Sequence, residues 1–202
     1  MTDSDNENST LGAQPSEAVV SEVAKHISSI LELIGEDPGR EGLVKTPERA
    51  ARALLHNVKG YRQDAQQIIR TAVFGHEGSQ MVIVRDIEFY SLCEHHILPF
   101  FGTVSIGYIP DGKIVGLSKL ARAVDAYARR LQVQERLTGQ ICQAVSQALP
   151  NKGVIVLCRA DHMCMRMRGV EKQQSQTMTV HYTGDFSNAQ LRSEFMAQLR
   201  MH

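Results

Sequence analysis

The sequence predicts an α+β fold, because its helix patterns and its strand patterns occur in separate blocks along the chain. Helical patterns come first, within residues 16–78, and a β-prone run begins at Gln80. Two strands, two helices and two further strands then follow in that order. This order favours antiparallel pairing of the strands. The 202 residues suit one domain, or a domain with a small appendage.

Two helices are predicted in the N-terminal helical portion. Apolar residues recur at helical spacing over 16–34, and Gly35 ends that helix. A second helix is predicted over 46–57, with Thr46 as its N-cap and Pro47 at its first helical position. A short loop then separates this portion from the rest of the chain.

The second predicted portion, residues 79–202, contains the strand patterns. Met163, Met165 and Met167 occupy alternate positions, which predicts one strand face packed on the core. The predicted strands span 81–85, 101–109, 153–160 and 175–183, and the predicted helices span 118–131, 135–149 and 188–199.

Charge and composition exclude several classes of protein. The 22 basic residues equal the 22 acidic residues, which excludes a generally basic nucleic-acid binder. Residues 1–15 are polar and acidic and predict a disordered acidic tail. No apolar run is long enough to cross a bilayer, no secretory signal is visible, and four cysteines are too few for a disulfide framework. We therefore expect a cytoplasmic protein without nucleic-acid or membrane partners.

Two clusters of cysteine and histidine indicate a metal site. Cys93 and His96 form a Cys-x-x-His pair, which places a thiolate and an imidazole on one turn, and zinc favours such mixed ligands. The second cluster offers His162 and Cys164. Cys93, His96 and Cys164 supply three ligands, and a catalytic zinc keeps its fourth position open. His95 and His162 then remain for proton transfer.

A basic segment indicates an anion site. Residues 116–122 are typical of a strand end followed by a helix N-terminus, with Ser118 as the predicted N-cap. Lys119 and Arg122 project from neighbouring positions, and Arg168 can add a bidentate phosphate contact. No P-loop motif is present, so a bound phosphorylated substrate is favoured over phosphoryl transfer. The alternative is a solvated helix face.

Three other residues have both a structural and a functional interpretation. Cys142 and Cys158 lie inside apolar helix or strand patterns, which predicts core thiols rather than metal ligands. Glu135 lies in the first turn of a predicted helix, where the helix dipole favours a carboxylate. Its functional alternative is to accept hydrogen bonds from a purine edge.

Taken together, these motifs resemble the GTP cyclohydrolase I family over roughly residues 16–200. The motifs that carry the resemblance are Thr46–Arg49, Ser91–His96 with Pro99-Phe100, Gly116–Arg122, Gln132–Thr138, His162–Met165 and Arg168-Gly169. The resemblance implies the tunnelling fold, in which two antiparallel β-hairpins flank two helices, here preceded by the N-terminal helical portion. Residues 79–202 would be the catalytic domain. It also implies a homodecamer of two stacked pentamers with sites at subunit interfaces.

The resemblance also implies roles for individual residues. The implied zinc ligands are Cys93, His96 and Cys164, and the implied proton-transfer pair is His95 and His162. The implied substrate contacts are Ser118 and Gln134 at the ribose, Glu135 at the guanine, and Lys119, Arg122, Arg168 and Arg49 at the triphosphate.

The implied reaction converts GTP and water to 7,8-dihydroneopterin triphosphate and formate, the first step of tetrahydrofolate and pterin biosynthesis. One alternative is the related deazaguanine nitrile reductase of the same fold. That enzyme needs a cysteine nucleophile and no zinc, so the predicted zinc ligands Cys93, His96 and Cys164 argue against it. A second alternative is a zinc-stabilised structural or regulatory binding module.

Overall fold

Two β-sheets form the strand framework in the computed structural model, which describes residues 14–200. The larger sheet has five strands in the order β5-β2-β3-β6-β7, and the smaller one pairs β1 with β4. The strands are β1 (Val73–Gly75), β2 (Val82–Cys93), β3 (Pro99–Pro110), β4 (Lys113–Val115), β5 (Leu131–Gln132), β6 (Asn151–His162) and β7 (Thr177–Tyr182).

Along the chain, α-helices come before the strands, between them and after them. There are also short 3-10 helices, at Lys59–Arg62 and Gly184–Ser187. The α-helices are α1 (Glu17–Leu33), α2 (Thr46–Asn57), α3 (Ala65–Arg70), α4 (Leu117–Ala128), α5 (Gln134–Ala148), α6 (Met163–Arg166) and α7 (Ala189–Gln198).

Two antiparallel hairpins flank two helices, which confirms the predicted fold class. Strands β2 and β3 form the first hairpin, β6 and β7 form the second, and α4 and α5 lie between them in the chain. Antiparallel pairing of β3 with β6 joins the hairpins into one sheet. In this register Leu92 pairs with Pro99, and Phe100 pairs with His162. The C-terminal ends of β2 and β6 therefore meet at the same end of the sheet.

The main core lies between the sheet and helices α4 and α5. Its buried side chains include Phe89, Phe100 and Leu137. Cys142 and Cys158 are fully buried in this core, which confirms their predicted role as core thiols. Burial raises the pKa of each thiol to about 12. A smaller cluster beneath α7 covers part of the opposite sheet face.

The N-terminal helical portion is joined to the sheet portion through a close backbone approach at Gly60. A Cβ on Gly60 would lie 2.3 Å from the carbonyl oxygen of Ala126, so only glycine fits here. The Gly60 amide donates to the Arg129 carbonyl at 2.9 Å. Arg130 donates from Nε to the carbonyls of Gly60 and Ala126, and from Nη2 to the carbonyl of Gln63.

Several sequence predictions differ from the structure. The segment with the alternating methionines is not a strand: Met163–Arg166 is a short helix, and Met167 is 59% exposed rather than packed on the core. The chain leaves the sheet at His162, so strand periodicity no longer applies there. Thr46 is the first helical residue, and the N-cap is Lys45. Most of the predicted disordered tail, residues 1–13, lies outside the described residues.

Candidate metal centre

Cys93 ends β2 and begins a tight turn. The Cys93 amide donates to the Leu98 carbonyl at 2.8 Å, and the Cys93 carbonyl accepts from Ile97 at 2.8 Å. Ile97 has φ +55°, a left-handed conformation that closes the turn. The turn is also attached to β5, which pairs in parallel with the end of β2, and Glu94 donates its amide to the Gln132 carbonyl. Backbone geometry therefore holds the first ligand segment.

Cys164 approaches this turn from the other hairpin. It lies in α6, directly after β6, and is partly buried. The ligand atoms of Cys93, His96 and Cys164 all lie within 4.8 Å of one another. The Cys93 Sγ is 3.8 Å from Nδ1 of His96. The three predicted ligands thus meet at one point, although Cys164 follows His96 by 68 residues.

The donor set is suited to a soft divalent cation. Burial, followed by the neighbouring Cys93 thiol, raises the pKa of Cys164, and Arg168 acts in the opposite direction. Two thiols at one point cannot both ionise easily without a cation between them. Two thiols and one imidazole are typical zinc ligands. The chemistry of this group therefore fits a metal ion.

His162, two residues before Cys164 in the chain, is held in place by two contacts. Its ring stacks on Phe100 with centroids 4.7 Å apart and planes 2° apart. Its Nε2 lies 2.8 Å from Oε1 of Gln134. The Gln134 amide nitrogen faces the carbonyls of Cys158 and Thr177, both at 3.1 Å, and a carbonyl only accepts. The Gln134 oxygen is therefore an acceptor, and His162 donates from Nε2.

Because Nε2 of His162 carries a hydrogen, Nδ1 is the nitrogen left for proton exchange. Burial lowers the pKa of His162, while Glu135 and Asp161 act in the opposite direction. Both the ring plane and the tautomer are thus set by neighbouring residues. Gln134 is itself 1% exposed, at the first position of α5.

His95 lies on the exposed side of the ligand turn. Its Nδ1 is 3.8 Å from the Cys93 Sγ, and its side chain is 63% exposed. The adjacent Glu94 accepts a charge-assisted hydrogen bond from Arg136, which lowers the pKa of Glu94. Arg136 also donates to Oε1 of Gln132 at 3.0 Å. This ion pair attaches the ligand turn to α5.

The predicted anion-binding residues lie on helices α2 and α4 and in the segment after α6. Ser118 is not the N-cap of α4: Gly116 holds that position, and Ser118 is exposed at the second helical residue. Lys119 and Arg122 follow on the same helix, and Arg168 is exposed two residues beyond α6. Glu135 and, on α2, Arg49 are also exposed. Their contacts with substrate stay predictions.

Two features of the site were missed in the sequence. Phe100 supports His162, although Pro99-Phe100 was noted only as part of a motif. Asp161 forms an ion pair with Arg166 across His162 and Cys164. The opposite charges five residues apart are visible in the sequence. However, the strand pattern assigned to this segment gave no reason to bring them together.

Comparison with known proteins identifies relatives along most of the chain. A family model described as GTP cyclohydrolase I matches residues 23–200. A GTP cyclohydrolase 1 of Bacteroides thetaiotaomicron is 56% identical over 175 residues, covering 87% of this chain and 89% of that protein. A GTP cyclohydrolase 1 of Chlorobaculum tepidum is 53% identical over 187 residues, covering 92% of this chain and 84% of that protein.

Solved structures are also similar, among them an archaeosine synthase QueF-Like in the apo form. It has a TM-score of 0.44 at 20% identity, covering 54% of this chain and 97% of that one. Within residues 14–200, every helix is too short or too polar to span a bilayer.

Proposed function

The chain belongs to the GTP cyclohydrolase I family, and on this premise we propose that it converts GTP and water to 7,8-dihydroneopterin triphosphate and formate. The observation that carries the proposal is the convergence of Cys93, His96 and Cys164, together with the orientation by Gln134 of His162, two residues before Cys164. A metal position and an oriented imidazole are the groups that hydrolytic opening of a guanine imidazole ring requires. The nitrile reductase alternative is not favoured, because it uses no such metal position.

We propose that Cys93, His96 and Cys164 hold zinc. Three protein ligands leave one position open, as in catalytic rather than structural zinc sites. When bound, zinc supplies a Lewis acid that activates water for attack on carbon 8 of the guanine. The chain provides the rest: a fixed ligand turn after β2, and a second ligand segment after β6.

His162 is the proposed proton donor and acceptor at the guanine. Its Nε2–H is bound to Gln134, so proton exchange with nitrogen 7 of the substrate falls to Nδ1. The stack on Phe100 restricts the ring to one plane, which reduces the cost of orienting it for transfer. His95, exposed on the ligand turn, is the proposed second proton-transfer residue.

The remaining residues are proposed to bind GTP. Glu135 would accept hydrogen bonds from the guanine, and Ser118 with Gln134 would contact the ribose. The side-chain amide of Gln134 also bonds to Cys158 and His162 within the chain. These bonds favour a second role for Gln134, which is to orient His162. The cations proposed for the triphosphate, where charge-assisted bonds are strongest, are Lys119, Arg122, Arg168 and Arg49.

We also propose a homodecamer of two pentamers in the cytoplasm. Edge strand β7 supports assembly, because it exposes Met178, Val180 and Tyr182 at alternate positions on one face. An apolar row of this kind on a strand at a sheet edge is typical of a surface covered by another chain. Light scattering should report about ten times the 22.5 kDa of one chain.

A GTP turnover assay with metal analysis tests the proposed function. We expect a GTP-dependent fluorescent pterin after oxidation, about one zinc per chain by the ligand count, and loss of turnover on chelation with the fold retained. Unfolding on chelation without any turnover would instead support the structural module. A protein that binds zinc but never converts GTP would contradict the proposal.

The variant Cys164→Ser tests the ligand set. It removes one thiolate from a group whose atoms lie within 4.8 Å of one another. We expect lost zinc and lost turnover with the assembly retained, measured by elemental analysis and light scattering. Cys142→Ser is the control, since that thiol is a core residue on α5. Full zinc content in Cys164→Ser would refute the assignment.

A further inference from the structure

We propose that the ion pair between Asp161 and Arg166 positions Cys164 and thereby sets the affinity of the metal site. The inference rests on the proposed metal site but concerns two residues that are not themselves proposed ligands. Arg166 donates from Nη2 to Oδ1 of Asp161 at 2.5 Å. The two side chains are 24% and 26% exposed, so solvent screens this pair less than a surface pair.

The ion pair closes a short loop around the functional residues. Asp161 is the second-last residue of β6, where the sheet fixes it, and Arg166 is the last residue of α6. His162 and Cys164 lie between them in the chain. The pair therefore anchors the far end of α6 to the rigid strand from which the helix emerges.

The second ligand segment depends on side chains more than the first does. Backbone hydrogen bonds from Cys93, Glu94, His96 and Ile97 hold the Cys93 turn. By contrast, α6 has four residues, and an isolated helix of that length is unstable in water.

Few backbone bonds hold the end of α6 in place. They are Met167 N to Met163 O at 3.0 Å and Lys172 N to Met165 O at 2.9 Å. Gly169 and Glu171 then adopt positive φ. Gln173 adds one side-chain bond, from its Nε2 to the Arg166 carbonyl at 2.8 Å. The ion pair adds a contact between two charged groups, and it joins the end of α6 directly to β6.

Loss of the pair should weaken metal binding without removing a ligand. A looser α6 must be ordered when the metal binds, and that ordering reduces the observed affinity. Residues that orient metal ligands typically contribute about 10- to 100-fold to metal affinity. We expect this range for Asp161→Asn and Arg166→Met, with faster metal loss. Arg166→Lys, which keeps the charge, should lie between wild type and Arg166→Met.

The test is competition for zinc between the full-length protein and a chromogenic chelator, with the dissociation rate measured in the same assay. Arg40→Met is the control, because Arg40 pairs with Glu36 in an exposed ion pair. The reversed pair, Asp161→Arg with Arg166→Asp, should recover part of the affinity. Turnover of Arg166→Met at saturating zinc should recover towards wild type, because Arg166 positions a ligand and does not react. This readout uses the Arg166 variant alone, because Asp161 also raises the pKa of His162.

Each outcome separates the inference from the proposed function. Wild-type zinc affinity in folded Asp161→Asn and Arg166→Met would overturn the inference and leave the metal site standing. A wild-type protein that binds no zinc would overturn the metal site and the inference together. Circular dichroism of the zinc-free proteins checks folding, and Asp161→Asn preserves side-chain shape if Arg166→Met fails to fold.

Discussion

Replacing Gln134 by leucine should uncouple His162 from its support while leaving the metal ligands in place. The side chain is 1% exposed and contacts His162 Nε2 at 2.8 Å and the carbonyls of Cys158 and Thr177 at 3.1 Å. Leucine has a similar volume and no polar atoms. The change therefore removes hydrogen bonds from a buried site without opening a large cavity.

The expected loss of stability follows from the groups left without a partner. A buried donor or acceptor that loses its partner costs about 1–3 kcal/mol, and here the Nε2–H of His162 is the group most affected. A loss of about 2 kcal/mol lowers Tm by about 4–8 °C in a chain of this length. Differential scanning calorimetry measures this shift. Gln143→Leu, at an exposed position of the same helix, is the control.

The kinetic consequence separates two roles for Gln134. If it acts through His162, the loosened imidazole should lower kcat by about 100-fold with little change in KM for GTP. A contact with the ribose would instead raise KM. Unchanged kcat together with unchanged Tm in Gln134→Leu would refute the reasoning, because the buried bonds would then contribute nothing to stability or orientation.

Three further predictions concern separate parts of the molecule. Gly60→Ala should lower Tm by several degrees in a melting experiment, because its Cβ would lie 2.3 Å from the Ala126 carbonyl oxygen. Gly75→Ala is the control and should keep the wild-type Tm, because there is open space around that position. The same Tm in both variants would contradict the close approach at Gly60. Arg168→Ala should raise KM for GTP with unchanged zinc content, and an unchanged KM would exclude a triphosphate contact. The thiols of Cys142 and Cys158, with pKa values of about 12, should react with a disulfide reagent at neutral pH only after unfolding. Rapid labelling of the folded protein would contradict their burial.

The elements that were predicted well have patterns that extend over many residues. Helix α5 has a long apolar stripe, and the observed helix Gln134–Ala148 differs from the predicted 135–149 by one residue at each end. Ala65–Arg70 and Leu131–Gln132 were missed, because segments of six and two residues obtain their structure from neighbours rather than from their own periodicity. Local sequence therefore indicated the hairpins and long helices, but not the short connections between them.

Residue chemistry predicted the ligand group better than its support. Cys93, His96 and Cys164 were predicted as ligands from their residue types and the family resemblance, and the structure brings their ligand atoms within 4.8 Å of one another. The bond between Gln134 and His162 joins positions 28 residues apart, and its existence depends on the register between strands and helix. Contacts of this kind, between a functional residue and the side chain that supports it, cannot be predicted from the spacing of residues in the sequence, because tertiary packing determines them.

The short strand β5 has a consequence for which length changes the chain can tolerate. It pairs with Leu92 and Cys93 at one side, and it leads within two residues to Gln134, which supports His162. An inserted residue between α4 and α5 would either slip the strand pairing or rotate the start of α5 by about 100°. Either change would move Gln134 and its support of His162 away from the ligand turn at Cys93. Insertions after α6, between Gln173 and the start of β7 at Thr177, encounter no such constraint, because the bonds that hold the end of α6 come from residues up to Gln173. Natural length variation in this part of the chain should therefore concentrate after α6, while the connection through β5 keeps a constant length.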